Sequence, residues 1–107
     1  MKEIKVKEIS ISNNSPMTII AGLNVLEDEN MALKVAEQLK EIATKHNIPF
    51  IFKASFDKAN RSSVESYRGP GIESGIKIFK SIKKHLDLPI ITDIHEKGQI
   101  EEIAQVV

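Results

Sequence analysis

Pro49-Phe-Ile-Phe-Lys-Ala-Ser55 decides how the rest of this sequence is read. Phe50 to Ser55 has the length of a strand, favours a pleated backbone, and follows a proline that ends the segment before it. That earlier segment is helical. Met31, Val35, Leu39 and Ile42 recur at helical spacing, Asp28 supplies an N-cap with Glu29 in the first turn, and the pattern runs to about Asn47. After Ser55 comes a polar stretch, Phe56 to Gly71, and then Ile72, Ile76, Phe79 and Leu86 restore helical spacing. Pro89 leads into a third strand, Ile90-Ile-Thr-Asp-Ile-His95, and a further helix begins near Lys97. Upstream, Met17-Thr-Ile-Ile-Ala-Gly-Leu23 is continuously apolar, as a strand covered on both faces of a parallel sheet should be. Residues 3–12 alternate around Ile4, Val6, Ile9 and Ile11, and Asn13-Asn-Ser-Pro16 closes them, which predicts a short strand or hairpin and a turn.

The order is β-β-α-β-α-β-α, with strands starting about 30–40 residues apart, the length of a βα unit. A doubly wound open sheet and part of a (β/α)8 barrel both fit this order. A barrel takes about 250 residues, so 107 residues supply only three of its eight strands. No linker divides the chain. It reads as one domain, with residues 1–14 as a leading hairpin and residues 17–107 as three βα units.

Composition narrows the function. Fifteen Lys+Arg balance fifteen Asp+Glu, so net charge offers no general attraction to nucleic acid or membrane surfaces. The absence of cysteine excludes a disulfide framework and thiolate zinc sites. No apolar run approaches the roughly 18 residues of a membrane span. The N-terminus lacks the apolar core of a signal peptide, which predicts a cytoplasmic location.

The residues suited to chemistry collect at the ends of the predicted strands. Residues two apart share a face, so Lys53 and Ser55 point one way while Phe52 and Ala54 point toward the helices. Asp93 and His95 are related in the same way on the third strand. Ligands bind at this end of parallel α/β sheets. A lysine in an apolar strand needs an anion, either a ligand or the carboxylate of a structural ion pair. Lys53, Lys58, Arg61 and Arg68 face only Asp57 and Glu65 in this neighbourhood, and Ser55, Asn60, Ser62 and Ser63 add neutral hydrogen-bonding groups. Such a set suits one or two small anions. Composition alone equally describes a solvated basic loop. In Ser66-Tyr-Arg-Gly-Pro-Gly71, Gly69 precedes proline and is biased toward extended geometry, while Gly71 can take positive φ. The glycine spacing matches neither a P-loop nor a dinucleotide fingerprint. Asn24 ends the first strand and, taken alone, reads as a turn residue. His46 and His85, near helix C-termini, read as structural. His95 with Asp93 offers a ligand hydroxyl or a metal two partners, too few to define a metal site.

Ile20-Ala-Gly-Leu-Asn-Val-Leu-Glu27, Phe52-Lys-Ala-Ser-Phe-Asp-Lys-Ala-Asn-Arg-Ser-Ser63, Ser66-Tyr-Arg-Gly-Pro-Gly71 and Ile91-Thr-Asp-Ile-His-Glu96 closely resemble the 3-deoxy-D-manno-octulosonate 8-phosphate synthase family, in order and spacing. The resemblance runs from about residue 5 onward and covers the N-terminal part of that family's (β/α)8 barrel. It implies a cytoplasmic transferase of lipopolysaccharide biosynthesis. Members condense phosphoenolpyruvate with arabinose 5-phosphate and water and release phosphate. They are commonly tetramers, with a hairpin capping the barrel floor.

By this resemblance, Lys53, Ser55 and Lys58 belong to the phosphoenolpyruvate side, with Lys58 between the two substrates. Asn60, Arg61 and Ser62 belong to the arabinose 5-phosphate side, with Arg61 and Ser62 on its phosphate. Asp93 and His95 lie near the sugar and the reacting centre. Asn24 stands where the metal-dependent branch of the family has cysteine, which implies the metal-independent type with no cofactor and joins Asn24 to Lys58, Asp93 and His95 as catalytic candidates. The later strands of the family barrel carry the rest of the site. The chain alone is therefore expected to be inactive or weak, and aggregation-prone unless a complementary C-terminal chain pairs with it. A heptulosonate 7-phosphate synthase using erythrose 4-phosphate is the nearest alternative. A non-catalytic anion-binding remnant is the alternative from outside the enzymes.

Overall fold

The computed structural model describes residues 2–58 and 69–107. The alternating N-terminus is a hairpin: β1 (Ile4–Val6) pairs antiparallel with β2 (Ile9–Ile11), with Ile4 opposite Ile11 and Val6 opposite Ile9. Lys7, in the turn, has φ 51°.

A three-stranded parallel sheet follows. β3 (Ile19–Leu23) pairs with β4 (Phe50–Ala54), and β4 pairs with β5 (Ile90–Ile91), so the spatial order is the chain order. The intervening helices are α1 (Glu29–Lys45) and α2 (Ile72–Leu86), and α3 (Gln99–Ala104) follows β5. Asp28 caps α1 as its sequence position predicts: its carboxylate accepts the Met31 N–H at 2.8 Å. A cap of this kind is worth about 1 kcal/mol. Helix α1 stops at Lys45 because Asn47 turns left-handed at φ 60° and the Ile48 N–H returns to the Ala43 carbonyl, ahead of Pro49. Helix α2 ends on left-handed Asp87, and Lys40 of α1 reaches across to the Leu86 carbonyl at 2.5 Å.

One apolar cluster holds these parts together. Phe50, Phe52, Ala54 and Ile90 meet Ala32, Ala36 and Ala43 of α1, Ile78, Phe79 and Ile82 of α2, and Ile103 of α3. All three helices therefore lie on one face of the sheet. On the other face Ile20 and Ile91 stay 50% and 40% exposed, while Ile51 of the central strand is buried. A doubly wound sheet would carry helices on both faces.

Four sequence expectations need correction. The face of α1 that packs is the alanine row Ala32, Ala36 and Ala43 flanked by Val35 and Leu39, whereas Met31 and Ile42 are exposed. Small side chains let the helix approach its neighbours closely, which a count of large apolar residues does not register. Phe56 is no part of a polar stretch, being 1% exposed. The third strand ends at Ile91 rather than His95, because only Ile90 and Ile91 find ladder partners, on Phe52 and Lys53. Gly69 is not extended; at φ 122° it occupies a region that L side chains rarely adopt.

Among the described residues, no helix is long and apolar enough to cross a membrane.

Candidate active site at the strand tips

The C-terminal ends of β3, β4 and β5 lie side by side, so parallel pairing alone gathers the residues that follow them. Lys53 is half-buried on the face opposite Phe52 and Ala54, both of which are fully buried against the helices. Among the described residues no hydrogen bond or ion pair ties its ammonium, although its charge acts on Asp93. Beyond β4, Ser55 is fully buried. Its carbonyl accepts the Leu26 N–H at 2.9 Å, which joins it to the β3–α1 connection, and its hydroxyl donates to Asp93 Oδ1 at 2.6 Å.

Asp93 and His95 stand beyond β5 and still come together: Asp93 Oδ2 lies 3.5 Å from His95 Nε2, an ion pair whenever the imidazole is protonated. Gln99 holds this segment. Its Oε1 accepts the N–H groups of His95 (2.8 Å) and Glu96 (3.2 Å), which ties the segment to the first residue of α3. The Phe56 ring meets the His95 ring edge-on, centroids 5.9 Å apart. The Phe56 carbonyl accepts the Gly71 N–H, and the Phe56 Cβ packs where Gly75 leaves room, a Cβ there lying only 2.6 Å away. Both stems of the 57–70 segment thus meet at Phe56.

Burial pushes the Asp93 carboxyl up. The Ser55 hydroxyl, the backbone N–H of Asp93 and the charges of His95 and Lys53 outweigh it, and the net result lies below the usual carboxylate range. A depressed folded-state pKa contributes stability above the unfolded value and loses it as pH falls through the folded one. Denaturation midpoints of the chain and of Asp93→Asn are therefore expected to converge as pH drops from 6 to below the model-compound value of 3.8. A gap between them that is constant with pH would contradict this.

Of the site residues expected from sequence, Lys53, Ser55, Asp93 and His95 come together. Lys58 is half-buried just past Phe56, and Asn24 is exposed just past β3. His46 caps the C-terminus of α1, and His85 bonds the Ser81 carbonyl inside α2, so both are structural. Asn60, Arg61, Ser62, Ser63 and Arg68 lie outside the described residues. Sequence reasoning passed over Phe56 and Gln99. An aromatic residue one position past a strand, at the head of a polar run, was a signal for the first. For Gln99 there was none.

The chain belongs to the DAHP synthetase I family, whose family model matches residues 2–107. Within it, the chain is 54% identical over 104 residues to the 2-dehydro-3-deoxyphosphooctonate aldolase of Pseudoalteromonas translucida, covering 97% of this chain and 37% of the relative. It is 50% identical over 107 residues to the protein of that name from Colwellia psychrerythraea (100% and 38%), and 54% over 105 residues to that from Pseudomonas entomophila (98% and 37%). The chain spans a little over a third of the length of these curated relatives.

Proposed function

We propose that this chain supplies the N-terminal part of a (β/α)8 barrel that condenses phosphoenolpyruvate with arabinose 5-phosphate and water, giving 3-deoxy-D-manno-octulosonate 8-phosphate and phosphate. The observation that carries the reading is the convergence of Lys53, Ser55, Asp93 and His95 on one end of a parallel sheet. The one-sided helix layer and sequential strand order support the barrel, since a barrel is a sheet wound in one direction only.

Lys53, with Ser55 beside it, and Lys58 stand on the phosphoenolpyruvate side. Asn60, Arg61 and Ser62 receive the sugar phosphate, and Asp93 with His95 addresses the sugar near the reacting carbon. The chain's contribution is positioning and fixed positive charge while the enol carbon attacks the aldehyde. Asn24 provides an amide where a soft metal ligand would need a thiolate, and the enzyme works without a metal. The setting is the cytoplasm, and the assembled protein is a homo-oligomer, a tetramer by the family pattern. Exposed Ile20 and Ile91, with the outer edges of β3 and β5, which are unpaired among the described residues, are surfaces for the remaining strands, whether these are continuous with the chain or supplied as a complementary one.

A second reading has its own support. The family is described by the heptulosonate synthase, which would accept erythrose 4-phosphate. The test is phosphate release from phosphoenolpyruvate by the chain completed with the C-terminal portion of the Pseudoalteromonas relative, in the presence of chelator. Turnover with arabinose 5-phosphate well above that with erythrose 4-phosphate is expected, and little or none from residues 1–107 alone. Preference for the four-carbon sugar, or activity abolished by the chelator, would overturn the corresponding part.

A further inference from the structure

We propose that Gln99 is a positioning residue for His95: from the first turn of α3 its amide oxygen holds the backbone N–H groups of His95 and Glu96, and this fixes where the imidazole stands beside Asp93. The inference rests on the function proposed above for what His95 addresses, but its geometry stands apart from it. β5 pairs with β4 no further than Ile91, so that ladder does not hold residues 92–98. Their N–H groups need other acceptors. Two of these groups converge on one atom, since Gln99 Oε1 accepts from His95 at 2.8 Å and from Glu96 at 3.2 Å. An amide oxygen has two lone pairs, and both donors are N–H groups, so the Gln99 amide can face them only with its oxygen. The Gln99 N–H in turn donates to the Glu96 carbonyl at 3.0 Å, so the two residues exchange a pair of hydrogen bonds. The backbone of His95 is thereby tied to α3, which is anchored in the core by buried Ile103. With that backbone fixed, only two side-chain torsions aim the imidazole. Two neighbours meet the ring, Asp93 Oδ2 at 3.5 Å from its Nε2 and the Phe56 ring edge-on at 5.9 Å between centroids. Gln99 takes hold of the His95 backbone, so it acts on the chemistry through His95.

The experiment compares Gln99→Ala with Gln99→Glu, whose carboxylate keeps an acceptor of the same reach and suits the first turn of a helix. In the completed enzyme, Gln99→Ala is expected to lower kcat with phosphoenolpyruvate and arabinose 5-phosphate about tenfold, within the roughly hundredfold that a misplacement of about 1 Å can cost, with KM for each substrate unchanged. Gln99→Glu is expected to recover most of the loss. In the chain, through-space NMR contacts between the ring protons of His95 and Phe56 are expected to weaken in Gln99→Ala and to return in Gln99→Glu. Added to His95→Ala, Gln99→Ala should lower kcat little further. An unchanged kcat in Gln99→Ala with a lowered denaturation midpoint would make the bond a staple of the α3 start and overturn the proposal. A loss that Gln99→Glu does not recover, unaltered ring contacts, or additive losses in the double variant would overturn it too. If Gln99→Ala does not fold, Gln99→Asn, one methylene shorter, takes its place: a similar fall in kcat supports the proposal and an unchanged kcat refutes it. Absence of turnover by the unsubstituted enzyme with either sugar would count against the function and leave the ring contacts to decide the role of Gln99.

Discussion

Gly22→Ala is expected to destabilise the parallel sheet strongly. Gly22 lies opposite Lys53 in the β3–β4 ladder, and a Cβ built on it would sit 1.8 Å from the Lys53 carbonyl oxygen and 2.8 Å from its carbon. The obstacle is backbone, so no rotamer change relieves it. The strands must part or shift register, and a shift by one residue would exchange their inner and outer faces. A cost of at least about 3 kcal/mol is expected, the upper end of what overpacking takes, from a total stability of about 5–15 kcal/mol. Chemical denaturation of the chain and of the variant measures it. A difference below about 0.5 kcal/mol would show that the close approach at Gly22 is not required. The same substitution displaces the backbone that carries Lys53, so any variant that folds should also bind anions poorly.

Lys53→Ala is expected to do the opposite: little to stability and much to chemistry. The sequence left two partners open for this lysine, a ligand anion or the carboxylate of a structural ion pair. The structure shows Asp93 close enough to respond to the charge, yet among the described residues no ion pair forms. Replacing a half-buried ammonium without a fixed partner removes a desolvation cost along with a weak attraction, so the denaturation midpoint should hardly move. In the completed enzyme, kcat/KM for phosphoenolpyruvate is expected to fall about 10²–10³-fold, as when one preorganised electrostatic contact to a developing charge is lost. A fall in stability comparable with the fall in activity would reinstate the structural reading of Lys53.

Local chemistry made much of this architecture legible. Asp28 announces α1 because capping is a contact within one turn, and Pro49 separates α1 from β4 because a ring cannot continue a ladder of N–H donors. Alternation in Phe50–Ala54 tells which side chains meet the helices. What escaped depends on neighbours distant in sequence. β5 leaves the ladder after Ile91 although β4 runs on to Ala54, which the apolar run in its own sequence does not disclose. The alanine row of α1 matters only because another surface lies close above it. Within the site, Lys53, Asp93 and His95 were legible as strand-end residues, whereas the bond from the Ser55 hydroxyl to Asp93 links positions 38 residues apart. Phe56 was hidden by the polar company it keeps.

The junction at Phe56 has a consequence for how this chain tolerates change. Departure and return of the basic segment are fastened to a single phenylalanine, by the Gly71 N–H on its carbonyl and by close packing of Gly75 on its Cβ. What lies between the two attachments can change in length and charge without re-threading the scaffold on either side.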